Sequence, residues 1–366
     1  MSSTLLSIIC LITVFALSHY SYANNDAINE DPRLQQAIIL QYHHVSNTTP
    51  SNTSISPEQF AEHLQLINDM EFDVKPLSYV MDHIKSGTPF PQKTLAITFD
   101  DGYDSIYENA YPLLKAKQWP FTIFISPKAI QHNHGSTMTW EQLTEMSQNQ
   151  VTIANHSWEH LHLLERLTNE TTDDWKKRIT QDINKAQAKL EKELKQAPLL
   201  FAYPYGEFDE ELKTILKNHD YIAFGQQSGP VHFSSDLQAL PRFPASGIYA
   251  NLKTLTTKLN SLAFSVNSIE PKAMIRSSMD NSPILKLSAK AHGVRFQQSQ
   301  CFYAGNPIPT RSNKQNDMVT IETQYEGKLT AGRSRYNCTA PSSLVNGYYW
   351  FSMPFITLNE EKNWID

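Results

Sequence analysis

Apolar runs and amphipathic stretches alternate along residues 36–265. The runs "AIILQY", "TLAITFD", "FTIFIS", "VTIAN", "LLFAYPYG" and "YIAFG" are short, apolar and rich in β-branched or aromatic residues, the pattern of strands buried on both faces. Between them lie stretches with helical spacing. "SPEQFAEHLQLINDM" opens on a Ser cap, "TWEQLTEMSQNQ" on a Thr cap, and "TDDWKKRITQDINKAQAKLEKELKQ" has one apolar side and many charge pairs four residues apart. "SIYENAYPLLKAKQ", "DEELKTILKNH" and "NLKTLTTKLNSLAFSV" read as further helices, and "ALPRFPA" continues the alternation. Strands alternating with helices predict a parallel sheet with helices outside. Six or seven such units fit a barrel better than an open doubly wound sheet. In either fold the chemistry belongs at the carboxyl ends of the strands.

The pattern changes after about residue 268. "MVTIETQYEG", "KLTAGRSRYNCTAP" and "GYYWFSMPFITL" are β-prone, aromatic and separated by turn residues. A small all-β, sandwich-like domain is expected over 269–366. Its aromatic cluster Tyr348, Tyr349, Trp350 and Phe351 reads first as core and second as a glycan surface. The expected division is a leader over 1–23, a barrel over 24–268 and the β-rich part over 269–366.

At the start, Leu5 to Leu17 is apolar but too short to span a bilayer. Ser21-Tyr22-Ala23 follows with the small-x-small pattern of a cleavage site. Export is expected, to the periplasm, envelope or exterior, without stable membrane insertion after cleavage; a short membrane anchor is the alternative. Cleavage after Ala23 leaves Cys301 and Cys338, and an even pair in an exported chain predicts a disulfide. The net charge of −6 over 366 residues gives no basic footprint for nucleic acid.

Three strand ends carry candidate chemistry. The first is Asp100-Asp101-Gly102, where neighbouring side chains point in different directions. One carboxylate can hold a metal while the other faces a reacting group; a solvated turn is the competing reading. The second is "NHSWEH", with His156 and His160 four residues apart and so on one face of a helical turn. Ser157 stands where a zincin would need Glu. His162 reads as an ordinary surface residue. The third is Tyr203-Pro204-Tyr205-Gly206, a turn able to present a backbone N–H and an aromatic wall. Asp101, His156 and His160 form a two-His-one-carboxylate set suited to Zn2+, with Co2+, Ni2+ or Fe2+ also compatible.

Thr98-Phe99-Asp100-Asp101-Gly102, His156-Ser157-x-x-His160 and Pro204-Tyr205-Gly206 together resemble the NodB-type polysaccharide deacetylases of carbohydrate esterase family 4. The resemblance spans roughly 36–265 and implies a distorted (β/α)7 barrel. It also implies metal-dependent removal of N-acetyl groups from an amino-sugar polymer. It assigns Asp100 as general base, Asp101, His156 and His160 as metal ligands, and the Tyr205 N–H as an oxyanion donor. Two features depart from the usual pattern. Ala202 stands where an Arg is usual, and no late Leu-x-His supplies a general acid. "LQYHHVS" instead resembles the permuted arrangement of the biofilm poly-N-acetylglucosamine deacetylases. That implies His43 as acid, with His44 the second choice, and Arg242 as the arginine that steadies Asp100. Tyr103, Trp158, Tyr203, Pro204, Tyr205 and Gly206 are the expected sugar-facing residues. A peptidoglycan or chitin-oligosaccharide deacetylase and a non-catalytic glycan-binding protein are the alternatives.

Overall fold

A computed structural model describes residues 31–132, 136–195, 197–361 and 363–364; the expected leader over 1–23 lies outside the described residues. Strands β1 (Gln36–Tyr42), β2 (Thr94–Asp100), β3 (Phe121–Ile125), β4 (Val151–Asn155), β5 (Leu200–Ala202) and β6 (Ile222–Phe224) pair in that order, each parallel to the next. The segment after β6 brings the two edges together. Leu240 bridges Phe224 in parallel, and β7 (Phe243–Pro244) pairs in parallel with β1. The sheet thus curls into the expected distorted barrel.

Eight helices accompany these strands among the described residues: α1 (Pro57–Asp69), α2 (Leu77–Ser86), α3 (Tyr111–Ala116), α4 (Pro127–His132), α5 (Trp140–Ser147), α6 (Thr172–Leu194), α7 (Glu210–Asn218) and α8 (Leu252–Leu259). Their starts follow from local chemistry. Ser56 with Gln59 and Thr139 with Gln142 form reciprocal capping boxes. Thr171, Asp209 and Asn251 each accept from a backbone N–H in the first turn of the helix that follows. The helix expected over 105–118 opens instead as a π-helical turn at Ile106–Ala110 before α3. Pro112, in the first turn of α3, has no amide hydrogen to donate into the turn before it.

Period-two alternation divides each barrel strand between two packing clusters. On β1, Ile38, Leu40 and Tyr42 face outward toward the helices, while Ala37 and Ile39 join an inner cluster with Ala96, Phe124, Ala154, Ala202 and Phe224. Helix α2, whose apolar spacing went unread, packs Leu77, Val80, Met81 and Ile84 against this interior. Carrying the same register forward along the strands puts Gln41, Thr98, Asp100 and His156 on the inner face at its carboxyl end. The residues of that end are therefore polar where the rest of the interior is apolar.

Directly after α8, β8 (Ser261–Ala263) already belongs to a second sheet, because it pairs in parallel with a strand near the carboxyl terminus. The remaining strands are β9 (Val266–Glu270), β10 (Ile275–Ser277), β11 (Leu285–Lys290), β12 (Gln300–Tyr303), β13 (Asn306–Ile308), β14 (Thr310–Gln315), β15 (Met318–Thr323), β16 (Gly332–Pro341) and β17 (Tyr348–Leu358). One sheet runs β8–β17–β16–β12–β13, with β10 beside β17, and the other β9–β11–β15–β14. Their apolar faces share a core: Leu285, Leu287, Val319 and Ile321 from one sheet pack with Tyr336, Ala340, Met353 and Phe355 from the other. Cys301 and Cys338 lie directly opposite on β12 and β16 and are joined by a disulfide. Tyr349 is core, Trp350 meets Phe243 of β7 edge-on at 5.6 Å, and Tyr348 is exposed. The aromatic run thus serves the core and the seam to the barrel more than a surface.

Candidate metal centre and active site

Strand β2 carries Asp100 into the barrel mouth with no solvent exposure. A bare carboxylate there would be costly, and three donors answer it. Arg242 Nη1 donates to Oδ1 at 2.7 Å, Arg242 Nη2 to Oδ2 at 2.8 Å and Gln41 Nε2 to Oδ2 at 2.6 Å. Arg242, also fully buried, spends its remaining reach on Thr98 Oγ1 and the Gly225 carbonyl. Burial alone would raise the Asp100 carboxyl. The Arg242 charge, then His156, outweigh it and hold the group below the usual carboxylate range. Asp100 is ionised at neutral pH and locked in orientation.

Beyond Asp100 the chain turns sharply. Asp101 has φ 71° and Gly102 φ 73°, so Asp101 points away from its neighbour. A Cβ on Gly102 would come within 2.7 Å of Ile125 Cγ2, which restricts this exit to glycine. Burial again raises the Asp101 carboxyl, and the surrounding imidazoles, His156 first and then His43 and His160, outweigh it and hold the group well below its usual range.

His156 and His160 follow β4, but not on a helical turn as their spacing predicts. Asn155 Oδ1 accepts from the Ser157 N–H at 2.9 Å, and Ser157 Oγ accepts from the His160 N–H at 2.9 Å. Ser157 and His160 take positive φ values of 66° and 55°. These short side-chain turns compete successfully with a helix and still bring the two rings to 4.8 Å. His156 Nδ1–H donates to the Ala202 carbonyl at 2.7 Å, which leaves its Nε2 lone pair directed outward. That Nε2 is buried and has no hydrogen-bond partner among the described residues. It lies 3.4 Å from Asp101 Oδ1, and His160 Nε2 lies 3.2 Å from the same oxygen. Ligand atoms of all three residues fall within 4.8 Å of one another. An orphaned, oriented imidazole nitrogen beside a second imidazole and an ionised carboxylate fits a divalent ion of the zinc type. Ala202, at the place where an Arg is usual, therefore contributes its carbonyl to orienting His156.

The other expected residues divide. His43 follows β1 directly and is close enough for its charge to act on Asp100, Asp101 and His160. His44 is buried and stacked on Tyr103 with centroids 3.6 Å apart; burial, then the charge of His43, lowers its pKa. Tyr103 is held above its usual range by burial, then by the charge of Asp101 and a hydrogen bond to it. Trp158 has the Lys185 ammonium 4.1 Å from its ring centroid, so one face is covered by α6. Tyr203 corrects its expectation. It is fully buried, faces the core with Phe201 and Phe208, and donates its hydroxyl to the Gln238 carbonyl at 2.7 Å, so it cannot wall a sugar. The alternation that sends Ala202 inward sends Phe201 and Tyr203 outward, a signal already present in the sequence. Pro204 is buried beside it, and Gly206 is half-buried. Tyr205 has φ 58° within the Pro204–Gly206 turn.

His162 also departs from its expectation. Its ring stacks on Tyr205 with centroids 4.0 Å apart and planes at 10°, and its Nδ1 lies 2.8 Å from Glu207 Oε2. Glu207, a buried carboxylate, went unread, as did its partners Arg333 and Trp364.

The inner carboxylate and the adjoining Asp-His-His cluster thus gather as one candidate site at the carboxyl ends of the parallel strands. Residues 87–224 match the polysaccharide deacetylase family, and the chain carries a domain of that family, of the NodB type. The chain is 27% identical over 261 residues to a poly-beta-1,6-N-acetyl-D-glucosamine N-deacetylase of Staphylococcus aureus, across 65% of this chain and 89% of that one. It is 25% identical over 223 residues to the protein of the same name from Escherichia coli K12, covering 52% of this chain but only 33% of that relative's length. Among solved structures, IcaB from Ammonifex degensii aligns with a TM-score of 0.54 at 22% identity, over 62% of this chain and 97% of that one. The Streptococcus pyogenes deacetylase PplD in complex with acetate aligns with a TM-score of 0.54 at 22% identity, over 61% and 98%. These two alignments match the fold.

Proposed function

We propose that the protein hydrolyses N-acetyl groups on an N-acetylglucosamine-containing polysaccharide, releasing acetate and a free amine, with a divalent metal held by Asp101, His156 and His160. One observation carries the reading: the buried, arginine-locked Asp100 stands beside the three-residue cluster that fits a metal, inside the segment that matches the deacetylase family. When bound, the ion would polarise the acetamide carbonyl and lower the pKa of a water at the site.

The protein's own groups supply the rest. Asp100, ionised and unable to rotate against Arg242, accepts the proton of the attacking water. The Tyr205 N–H, turned by its positive φ, donates to the carbonyl oxygen as charge builds there. His43 delivers a proton to the departing nitrogen, so that an amine rather than an amide anion leaves. Tyr103, Trp158, Tyr205 and Gly206 remain candidates for the sugar-facing wall, without Tyr203. Export is part of the reading, supported by the apolar start of the sequence and the Cys301–Cys338 bond. No helix among the described residues is long and apolar enough to cross a membrane. Acetate release from poly-β-1,6-N-acetylglucosamine, chitin oligomers and peptidoglycan, with and without a chelator, tests the proposal. Release from the first substrate that stops on chelation is expected; no release from any of the three sinks it.

A further inference from the structure

Tyr205 occupies a backbone conformation that bulky residues avoid, and such conformations persist only where the surroundings over-determine them. Its surroundings come from two parts of the chain. From the barrel side, His162 stacks on one face of the ring and the candidate metal ligand His160 meets it edge-on at 4.6 Å. From the C-terminal β-rich part, the Arg333 guanidinium of β16 sits 5.0 Å from the ring centroid, a cation–π distance.

Two residues beyond Tyr205, Glu207 ties the same parts together. Its Oε2 pairs with His162 Nδ1 at 2.8 Å, and its Oε1 accepts from Arg333 Nη1 at 3.3 Å and from Trp364 Nε1 at 3.3 Å. Its side chain is only 1% exposed. A carboxylate so buried depends on its donors, and two of those named lie more than a hundred residues away on a different sheet and its tail. Trp364 in turn lies 5.8 Å from the His162 ring. The turn carrying Tyr205 is thus gripped from outside the barrel. Gly206 leaves the turn little slack, since a Cβ there would meet Gln226 Cβ at 2.7 Å.

We propose that the C-terminal β-rich part is a positioning element of the catalytic centre. Arg333 and Trp364, acting through Glu207 and the His162–Tyr205 stack, fix the Tyr205 amide and the ring that abuts His160. These are positioning residues, since none of them need touch the substrate. The kinetic consequence rests on the proposed deacetylase reading; the mechanical one does not.

The test uses the full chain with Arg333→Ala, Trp364→Phe and the pair combined, with Arg333→Lys as the conservative variant that still offers Glu207 a donor. Two readouts are taken: hydrogen exchange over residues 203–207, and kcat and KM for acetate release at saturating zinc. The double variant should exchange about tenfold faster or more over 203–207 while the rest of the barrel is unchanged. Its kcat should fall by about tenfold or more with KM and zinc stoichiometry held, because a misplaced donor costs rate rather than ground-state binding. Arg333→Lys should recover most of both. Unchanged exchange over 203–207 overturns the proposal, as does faster exchange with wild-type kcat, or a loss spread over the whole barrel with a lowered melting temperature. If the native chain releases no acetate from any substrate, the deacetylase reading fails, and local exchange alone decides whether the grip exists.

Discussion

Arg242 grips Asp100 through two parallel hydrogen bonds, Nη1 to Oδ1 at 2.7 Å and Nη2 to Oδ2 at 2.8 Å, with both side chains fully buried. The pair joins positions 142 residues apart, one at the end of β2 and the other just before β7. It therefore helps close the barrel as well as fixing the orientation of the carboxylate. A buried pair of this kind punishes the loss of one partner more than the loss of both, because the survivor keeps an uncompensated charge. Arg242→Gln should lower unfolding free energy by about 3–5 kcal/mol in urea titrations. Asp100→Asn combined with Arg242→Met should regain part of that. A double variant no more stable than Arg242→Gln would show that the charge is not what matters.

Asp100→Asn separates chemistry from assembly. If Asp100 is the base, turnover should fall by about 10²–10⁴-fold, while zinc content, read by elemental analysis, stays at the wild-type value. Wild-type turnover in this variant would remove the base assignment.

The placement of the acidic and imidazole groups was legible where the signal was local. Asp100, Asp101, His156 and His160 sit at or just past the ends of strands whose apolar runs are unmistakable, and their order along the chain places them at one mouth of the barrel. Their backbone was less legible. Spacing of four suggests a helix, yet the Asn155 and Ser157 side chains capture the backbone N–H groups first. Arg242 was reached only because a resemblance required an arginine. Glu207, Arg333 and Trp364 went unread, and His162 was read as an ordinary surface residue. Arg333 and Glu207 are 126 positions apart, and no periodicity links a strand of one sheet to a turn of another. Helix α2 was overlooked although Leu77, Val80, Met81 and Ile84 carry helical spacing.

A metal at Asp101, His156 and His160 should couple to stability. Binding to the native state alone adds about 4 kcal/mol at a thousandfold excess over Kd, so zinc should raise the melting temperature of chelator-treated protein. His156→Ala should abolish that response, since the orphaned Nε2 is the most committed ligand atom. Equal melting temperatures with zinc and with chelator in the native protein would argue against the site.

The two adjacent histidines make different demands. His44 is stacked on Tyr103 and buried, whereas His43 lies within electrostatic reach of both aspartates. His43→Ala should cost about 10²–10⁴-fold in kcat as the lost general acid. His44→Gln, which disturbs a stack rather than a proton donor, should cost far less. The reverse order of effects would transfer the acid role to His44.

A pH effect independent of the site comes from His63 on α1. Its ring is fully buried, Nδ1 lies 3.0 Å from the Tyr42 hydroxyl and Nε2 lies 2.6 Å from the Ala250 carbonyl. Those partners satisfy the neutral ring: Tyr42 donates to Nδ1, and Nε2–H donates to Ala250. Burial, partly offset by the Ala250 bond, pushes the His63 pKa down to about 4, against 6.5 when unfolded. The unfolded chain therefore binds the proton first. The stability that neutral His63 contributes is fully present above pH 6.5 and is lost as the pH falls from there toward 4, by up to about 3 kcal/mol. His63→Gln keeps a donor and an acceptor but cannot titrate in this range. The difference in unfolding free energy between wild type and His63→Gln, measured in urea from pH 7.5 to 4, should shift against the wild type as the pH drops. A difference that stays constant across that window would mean His63 is already protonated in the fold, or titrates alike in both states.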